Sequence, residues 1–233
     1  MSPVPPTDSD HFAQARALMI EEIERELAET RIYLGAEPLD PRVLDAIDRV
    51  PREHFVPPDL RESAYRNRPL PIGNRQTISQ PYIVAVMSHC LRLPPHGGRV
   101  YELGAGSGYQ AAVLGAMGAE VYSVEIQPEL AARAKALLAK LGFERVHVRT
   151  GDGYLGWPEA APFDAIIITA AGPEVPQPLI DQLKVGGRMV MPLGSSTGDQ
   201  SLVVFNKQPD GRLEQRALLP VRFVPITRDR IEA

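Results

Sequence analysis

The glycine-rich stretch in the middle of the chain constrains the fold more than any other feature. Residues 100–103 predict a short buried strand, and residues 104–108 alternate glycine with small side chains in a tight turn. Apolar residues over 109–117 predict a helix, and residues 121–124 predict a second strand that ends at Glu125. Strand, glycine turn, helix and second strand in this order form a βαβ unit.

The glycine turn and Glu125 together indicate a nucleoside ligand. Glycine accepts positive φ and lets a ligand approach the backbone, and an acid at the tip of the second strand can accept both ribose hydroxyls. The last position of the dinucleotide fingerprint Gly-x-Gly-x-x-Gly holds Tyr109. This spacing favours a ligand with a ribose but no phosphates, such as S-adenosylmethionine. A glycine-rich turn without any ligand is the alternative.

The remaining elements predict an α/β fold around this unit. The run over 163–171 is typical of a parallel strand buried on both faces. Residues 201–206 and 213–224 predict an antiparallel hairpin joined by Pro-Asp-Gly. Other elements are predicted as helices at 128–141 and 178–183 and strands at 146–149 and 187–192. We therefore expect a Rossmann-like, doubly wound, mostly parallel sheet with a C-terminal antiparallel hairpin and an N-terminal helical extension.

The first 92 residues form the predicted extension. Residues 1–9 are rich in Pro, Ser and Asp and are predicted to be disordered. Helices are predicted over 10–31, from Pro41 and over 81–92. The first of them has an apolar stripe made of Phe12, Leu18, Met19, Ile23 and Leu27.

Residues 51–78 have little periodicity and many turn residues. A long stretch without clear elements inside a compact domain is typical of a functional segment, and we interpret it as substrate-facing, with a structural loop as the alternative. The chain thus divides into a helical and substrate-facing segment, 1–92, and a ligand-binding core, 93–233. We expect the two to pack as one compact domain.

Composition excludes several classes of function. A net charge of −4 gives no support to a nucleic-acid surface, and no apolar run approaches the roughly 18 residues that span a bilayer. One cysteine, Cys90, excludes an intramolecular disulfide and a cysteine-based zinc site, and the five histidines lack ligand spacing. The N-terminus is unlike a secretory signal. We expect a cytoplasmic protein with no metal, membrane or nucleic-acid partner.

Further candidate ligand contacts follow successive strands. Asp152 and Gly153 come directly after the third strand, and the Asp152 carboxylate can accept a hydrogen bond from an adenine amino group. Thr169 stands near the end of the long apolar run. Because open α/β sheets bind ligands at the carboxyl ends of their strands, a nucleoside is expected against Gly104, Ala105, Gly106, Glu125, Asp152, Gly153 and Thr169. A nucleoside reagent without phosphate or metal indicates methyl transfer.

Several blocks of sequence carry a family resemblance. They are Arg-Glu-His-Phe-Val-Pro from 52, Tyr-Arg-Asn-Arg-Pro-Leu-Pro-Ile-Gly from 65, Gln-Thr-Ile-Ser-Gln-Pro-Tyr from 76, Glu-Leu-Gly-Ala-Gly-Ser-Gly-Tyr-Gln from 102, Gly-Asp-Gly from 151, Pro-Phe-Asp-Ala-Ile-Ile-Ile-Thr-Ala-Ala from 162 and Val-Arg-Phe-Val-Pro from 221. With these blocks the chain resembles the protein-L-isoaspartate O-methyltransferases, which are class I S-adenosylmethionine-dependent methyltransferases. The glycine turn is shared by many methyltransferases, whereas the Thr-Ile-Ser-Gln-Pro and Phe-Val-Pro blocks are far more specific.

The resemblance implies a repair reaction. S-adenosylmethionine would methylate the free α-carboxylate of L-isoaspartyl residues in damaged proteins and peptides. Ser79 would be the active-site serine that hydrogen-bonds or positions this carboxylate, with Thr77 and Ile78 beside it and Thr227 closing over the site. The carboxylate is ionised at pH 7, so no strong general base is required. From its spacing alone, Ser79 is better explained as the cap of the helix that begins near residue 81.

Three other functions stay open at this point. A methyltransferase could act on a small molecule or on another protein group. A dinucleotide-dependent oxidoreductase is disfavoured because Tyr109 occupies the third glycine position. A non-catalytic binding module would keep the fold but would not need Glu125, Asp152 and Ser79.

Overall fold

Three helices and a small hairpin form the N-terminal part of the structure. The structure, a computed structural model, describes residues 9–35, 38–195 and 198–228. These elements are α1 (Ser9–Leu34), α2 (Pro41–Arg49), β1 (Leu70–Gly73), β2 (Gln76–Ile78) and α3 (Pro81–Cys90). The three predicted helices are confirmed. The predicted disorder over residues 1–9 falls outside the described residues, except for Ser9, which begins α1.

Residues 51–78, in which the sequence shows no clear elements, contain short regular ones. Strands β1 and β2 pair antiparallel, and two 3₁₀ turns span Arg52–Phe55 and Pro58–Ser63. Strands of four and three residues are too short for a two-residue period to stand out in the sequence. They form because alternate side chains, Leu70 and Ile72, are buried.

One residue of the predicted apolar stripe on α1 is also wrong. Leu18 is 53% exposed, whereas Met19 and Ile23 are buried. Met19 and Ile23 are four residues apart and share one helix face, and Leu18 lies one residue, or about 100°, away from that face.

A seven-stranded sheet follows, with spatial order β5-β4-β3-β6-β7-β8-β9. Strands β3 to β7 are parallel and β8 and β9 complete an antiparallel hairpin. The strands are β3 (Arg99–Leu103), β4 (Glu120–Glu125), β5 (Val146–Thr150), β6 (Phe163–Ile168), β7 (Leu183–Gly194), β8 (Gln200–Lys207) and β9 (Leu213–Val221). The predicted fold class is therefore confirmed.

Helices cover both faces of the sheet. They are α4 (Tyr109–Ala116), α5 (Pro128–Lys140) and α6 (Gln177–Gln182). Val100 and Val121 point to the face covered by α1 to α5, whereas Tyr101 and Phe163 belong to a second apolar cluster with Leu179 of α6. Because side chains alternate along a strand, neighbouring residues of β3 supply the two clusters.

Buried side chains of the N-terminal segment and of the sheet join in one apolar cluster, which contains Met19, Ile47 and Val86 together with Val100 and Val121. The division of the chain at residue 92 stays a prediction. No helix in the described part of the chain is long and apolar enough to cross a bilayer.

Two strands end three residues earlier than predicted, and this positions the site. β6 ends at Ile168 and not at 171, and β9 ends at Val221 and not at 224. The residues that leave these strands meet, because the N–H of Ala171 donates to the carbonyl of Val224 (2.8 Å) and the N–H of Ile226 donates to the carbonyl of Ala171 (2.8 Å). The C-terminal segment is thereby held over the carboxyl edge of the sheet.

Candidate active site

A cleft of about 780 Å³ lies at the carboxyl edge of the sheet, where β3, β4 and β6 end. With the exception of Asp152, every predicted site residue lines it: Thr77, Ile78, Ser79, Gly104, Ala105, Gly106, Glu125, Gly153, Thr169 and Thr227. These residues come from six separate parts of the chain. The parallel strands bring most of them together, and the N-terminal and C-terminal segments add the others.

The conformation of the glycine turn requires glycine at two of its positions. Gly104 has φ +94°, and a Cβ there would lie 2.6 Å from Oγ1 of Thr169. Gly108 has φ +90° at the start of α4 and packs closely against Leu138 of α5. The hydroxyl of Thr169 lies 2.7 Å from the carbonyl oxygen of Gly104 and donates to it. Thr169 therefore supports the turn from β6 as well as lining the cleft.

Glu125 connects the end of β4 to this turn. It is 5% exposed, and its Oε2 accepts a hydrogen bond from the N–H of Gly106 (2.8 Å) while Oε1 accepts one from the N–H of Gln127 (3.0 Å). Burial raises the pKa of Glu125, and hydrogen bonds from the backbone N–H groups of Gln127, Gly106 and Ile126 oppose that shift. A carboxylate has about four acceptor positions. Each oxygen thus retains acceptor capacity for a hydroxyl group of a ligand in the cleft.

Asp152 is engaged by the C-terminal segment. Its Oδ1 accepts from the N–H of Tyr154 (2.9 Å), and its Oδ2 accepts from Nε (3.1 Å) and Nη2 (3.0 Å) of Arg228. The guanidinium of Arg228 also lies 5.1 Å from the ring centroid of Tyr154. The predicted contact of Asp152 with an adenine stays a prediction. Its neighbour Gly153 reaches the cleft, and a Cβ at Gly153 would lie only 2.5 Å from Leu103.

Ser79 is not a helix cap. The residue at the N-cap position of α3 is Gln80, and no side chain caps this helix. Instead, the carbonyl of Ser79 accepts a hydrogen bond from Nη2 of Arg52 (2.7 Å). The alternative explanation of Ser79 is therefore wrong, and its side chain lines the cleft.

Arg52 begins one of the blocks that carry the family resemblance, but the sequence predicts no role for it. It is fully buried, its Nε donates to the carbonyl of Ala64 (2.8 Å), and its guanidinium lies 4.6 Å from the ring centroid of Tyr109. Burial lowers its pKa. Through Ser79 and Tyr109, both of which line the cleft, Arg52 fixes the N-terminal wall relative to the first residue of α4.

A second cavity of about 950 Å³ adjoins the first. The two share Thr77, Ser79, Thr169 and Val224. The second cavity is otherwise lined by Pro69, Gln80, Ile83 and residues 220–223. Ser79 thus lies where two cavities meet, which is the arrangement that a reaction between two bound molecules requires.

The sequence reasoning missed several apolar parts of the cleft. Val124 and Ile126 flank Glu125, and Val224, Pro225 and Ile226 close the cleft from the C-terminal side. The block Val-Arg-Phe-Val-Pro was the available signal for this second group. In the described ranges, no group of three or more His, Cys, Asp or Glu side chains could hold a metal ion.

Glu102 precedes the glycine turn but does not line the cleft. It is completely buried in β3, and one of its oxygens accepts a hydrogen bond from the hydroxyl of Ser123. Its Oε1 has no partner in the described residues. Burial, with the charge of Glu125 as a smaller cause, raises the pKa of Glu102 to about 8.

Comparison with known sequences gives a consistent result. The family model of Protein-L-isoaspartate(D-aspartate) O-methyltransferase (PCMT) matches residues 24–231. A protein-L-isoaspartate O-methyltransferase of Gloeobacter violaceus is 58% identical over 188 residues, which are 81% of this chain and 91% of the relative. A protein-L-isoaspartate O-methyltransferase 2 of Syntrophobacter fumaroxidans is 51% identical over 218 residues, 94% of this chain and 88% of the relative.

Two solved structures share the fold. One is titled protein-L-isoaspartate O-methyltransferase, has a TM-score of 0.78 and 29% identity, and is matched over 90% of this chain and 65% of its own. The other is described as a putative protein-L-isoaspartate O-methyltransferase from Plasmodium falciparum in complex with S-adenosyl-L-homocysteine. It has a TM-score of 0.75 and 20% identity, and the match covers 92% of this chain and 99% of that one.

The buried Glu102 gives a testable pH dependence. Its pKa is about 8 in the folded protein and returns to its ordinary value of about 4.5 after unfolding. Between these values the folded state holds a proton that the unfolded state releases, so this residue's contribution is fully present below pH 4.5 and is lost as the pH rises to about 8. The slope is at most about 1.4 kcal/mol per pH unit.

Glu102→Gln removes this titration. We expect the free energy of unfolding of the variant, measured in urea and expressed relative to the parent, to increase from pH 5 to pH 8. Glu129→Gln makes the same substitution at an exposed position of α5 and serves as the control. A difference between Glu102→Gln and the parent that does not change with pH would contradict the prediction.

Proposed function

The chain belongs to the protein-L-isoaspartate(D-aspartate) O-methyltransferase family, and we propose on that basis which of its residues carry out the family's reaction. The protein is an S-adenosylmethionine-dependent methyltransferase that repairs damaged proteins. The observation that carries the assignment of residues is the position of Ser79 at the junction of two cavities. The cleft beside the glycine turn would bind the methyl donor, and the second cavity would bind the isoaspartyl peptide.

The donor half of the proposal starts from Glu125. S-adenosylmethionine supplies a methyl group that its sulfonium sulfur already activates. We assign the ribose hydroxyls to the Glu125 carboxylate, whose oxygens retain acceptor capacity beyond the N–H groups of Gly106 and Gln127. The glycine turn with Ala105, and Gly153 and Thr169, would form the remaining polar surface, and Asp152 would accept from the adenine amino group. Apolar side chains such as Val124 and Ile126 supply flat contact surface.

The proposed site for the substrate carboxylate consists of uncharged hydrogen-bond donors. The hydroxyl groups of Ser79, Thr77 and Thr227 can hydrogen-bond a carboxylate without neutralising it, and Ile78 adds an apolar contact. Glu125 is the one charged residue in the lining described for the donor cleft. The buried charge of Arg52 is directed at backbone carbonyls and at the ring of Tyr109. The substrate carboxylate would therefore stay nucleophilic.

Positioning supplies the rest of the catalysis. Because the carboxylate is ionised at neutral pH, the protein's residues need only align its oxygen with the methyl group and exclude water. Pro225, Ile226 and Thr227 would cover the cleft from the C-terminal side, where the backbone of Ala171 holds them. Arg52 would keep the backbone of Ser79 in place during this step.

We further propose that the protein acts on isoaspartyl proteins and peptides in the cytoplasm, without a nucleic-acid or membrane partner. The net charge of −4 supports the exclusion of nucleic acid because it disfavours phosphate-rich partners. The shared apolar cluster of the N-terminal helices and the sheet supports a single compact domain.

The substrate assignment is tested with a matched pair of peptides. Purified protein and S-adenosylmethionine carrying a labelled methyl group should methylate a peptide that contains L-isoaspartate. The same peptide with a normal aspartyl linkage should take up no label, because its free carboxylate is one methylene further from the backbone. Equal labelling of both peptides would favour a different acceptor class.

Ser79→Ala tests the acceptor site. We expect kcat to fall about 10²-fold, which is the scale for loss of one positioned hydrogen-bond donor at a reacting oxygen. The Kd for S-adenosylhomocysteine should stay within about twofold of the parent value, because the Ser79 hydroxyl is assigned to the substrate carboxylate and not to the methyl donor. Thr30→Ala removes a hydroxyl of α1 that bonds within the N-terminal segment and provides a control. Unchanged turnover in Ser79→Ala would exclude Ser79 from the reaction.

Glu125→Gln tests the donor site. The amide cannot accept from the N–H groups of Gly106 and Gln127 and from two ribose hydroxyls at once. We expect the Kd for S-adenosylhomocysteine, measured by calorimetry, to rise about 10- to 100-fold, as for loss of hydrogen bonds to a charged group. Glu120→Gln makes the same change at the opposite end of β4 and should leave the Kd unchanged. Equal Kd values for Glu125→Gln and the parent would remove Glu125 from the donor site.

A further inference from the structure

The described lining of the cavity that adjoins the donor cleft contains a single charge. Its described lining comprises Pro69, Thr77, Ser79, Gln80, Ile83, Thr169 and residues 220–224, and Arg222 is the one charged side chain among them. The guanidinium of Arg222 is exposed and has no hydrogen-bond or ion-pair partner within the described residues. In a protein with a net charge of −4, this cavity is therefore locally positive.

The surroundings of the cavity add to this local charge. Arg68 and Arg66 are exposed, and Arg68 directly precedes Pro69 in the cavity lining. The neighbouring carboxylate of Glu26 accepts hydrogen bonds from Asn67 (2.9 Å) and Gln80 (3.2 Å) and is not part of the lining. An acidic group that enters the cavity would thus meet Arg222 and no carboxylate of the described lining.

The position of Arg222 relative to Ser79 decides which part of a substrate it reaches. Both residues line the same cavity, but only Ser79 also lines the donor cleft. A carboxylate that receives a methyl group must lie at the junction of the two cavities, and Arg222 lines only the second of them. Residues of the peptide next to the isoaspartyl residue are therefore the groups that Arg222 can contact.

We propose that Arg222 gives this enzyme a preference for isoaspartyl peptides that carry an acidic side chain beside the isoaspartyl residue. The proposal rests on the proposed function, in which the second cavity binds the peptide. A partly exposed ion pair of this kind is worth up to about fivefold in affinity, and salt weakens it. The preference appears in KM, because the flanking side chain takes no part in methyl transfer.

A peptide series separates this preference from methyl transfer itself. One isoaspartyl peptide is prepared with Glu, Gln or Lys next to the isoaspartyl residue, on its amino or its carboxyl side. On at least one side of the isoaspartyl residue, the parent is expected to show the lowest KM for the Glu peptide and the highest KM for the Lys peptide. These two KM values should differ by about three- to tenfold, because an attraction to Arg222 is replaced by a repulsion. The difference in KM should shrink when about 0.5 M salt is added, because salt at such a concentration screens exposed ion pairs.

Arg222→Gln should bring the three KM values together, and Arg222→Glu should reverse their order. Arg145→Gln removes the same charge at the opposite edge of the sheet, where Arg145 precedes β5, and should retain the parent's order. Turnover of the Gln peptide by every variant shows that methyl transfer is intact, so failure of the proposed function is recognised separately.

Three results would overturn the proposal. The first is a parent enzyme whose KM does not depend on the flanking charge. The second is an Arg222→Gln variant that keeps the parent's preference. The third is an equal rise of KM for all three peptides in Arg222→Gln, because Arg222 would then bind the isoaspartyl carboxylate that the peptides share.

Discussion

The hydrogen bond from the N–H of Gly106 to the carboxylate of Glu125 is the contact on which the donor cleft depends. It joins the glycine turn after β3 to the last residue of β4, and the hydroxyl of Thr169 fastens the same turn from β6. Three neighbouring strand ends are thereby fixed to one another through partly buried polar contacts. Such a rim is rigid before any ligand arrives, which reduces the entropy lost on binding.

The N-terminal segment completes this rim with a buried cation. A charge as deeply buried as that of Arg52 is costly unless it is compensated, and here two carbonyls and the face of Tyr109 provide the compensation. One of these carbonyls belongs to Ser79, so the buried guanidinium of Arg52 orients the backbone at the junction of the two cavities. The catalytic arrangement is thus part of the packing between the segment 51–80 and α4.

Charges are sparse where the reaction is proposed to take place. Glu125 is the one charged residue described in the lining of the donor cleft, and Arg222 is the one described in the lining of the second cavity. The described residues that line both cavities are Thr77, Ser79, Thr169 and Val224, and none of them is charged. This distribution suits a reaction whose nucleophile is already ionised, because a neighbouring cation would stabilise the carboxylate before it reacts.

The sequence by itself determined the βαβ unit, the parallel sheet with its terminal hairpin, and most of the cleft lining. Those features follow from local patterns, since strand periodicity and glycine spacing indicate which segments form strands and turns, and parallel strands place their carboxyl ends at one edge. Only the tertiary structure decided that Arg228 holds Asp152, that Arg52 holds Ser79, and that residues 70–78 form a hairpin. Asp152 and Arg228 are 76 residues apart and Arg52 and Ser79 are 27 apart. Contacts over such distances depend on how whole elements pack, and no local pattern records them.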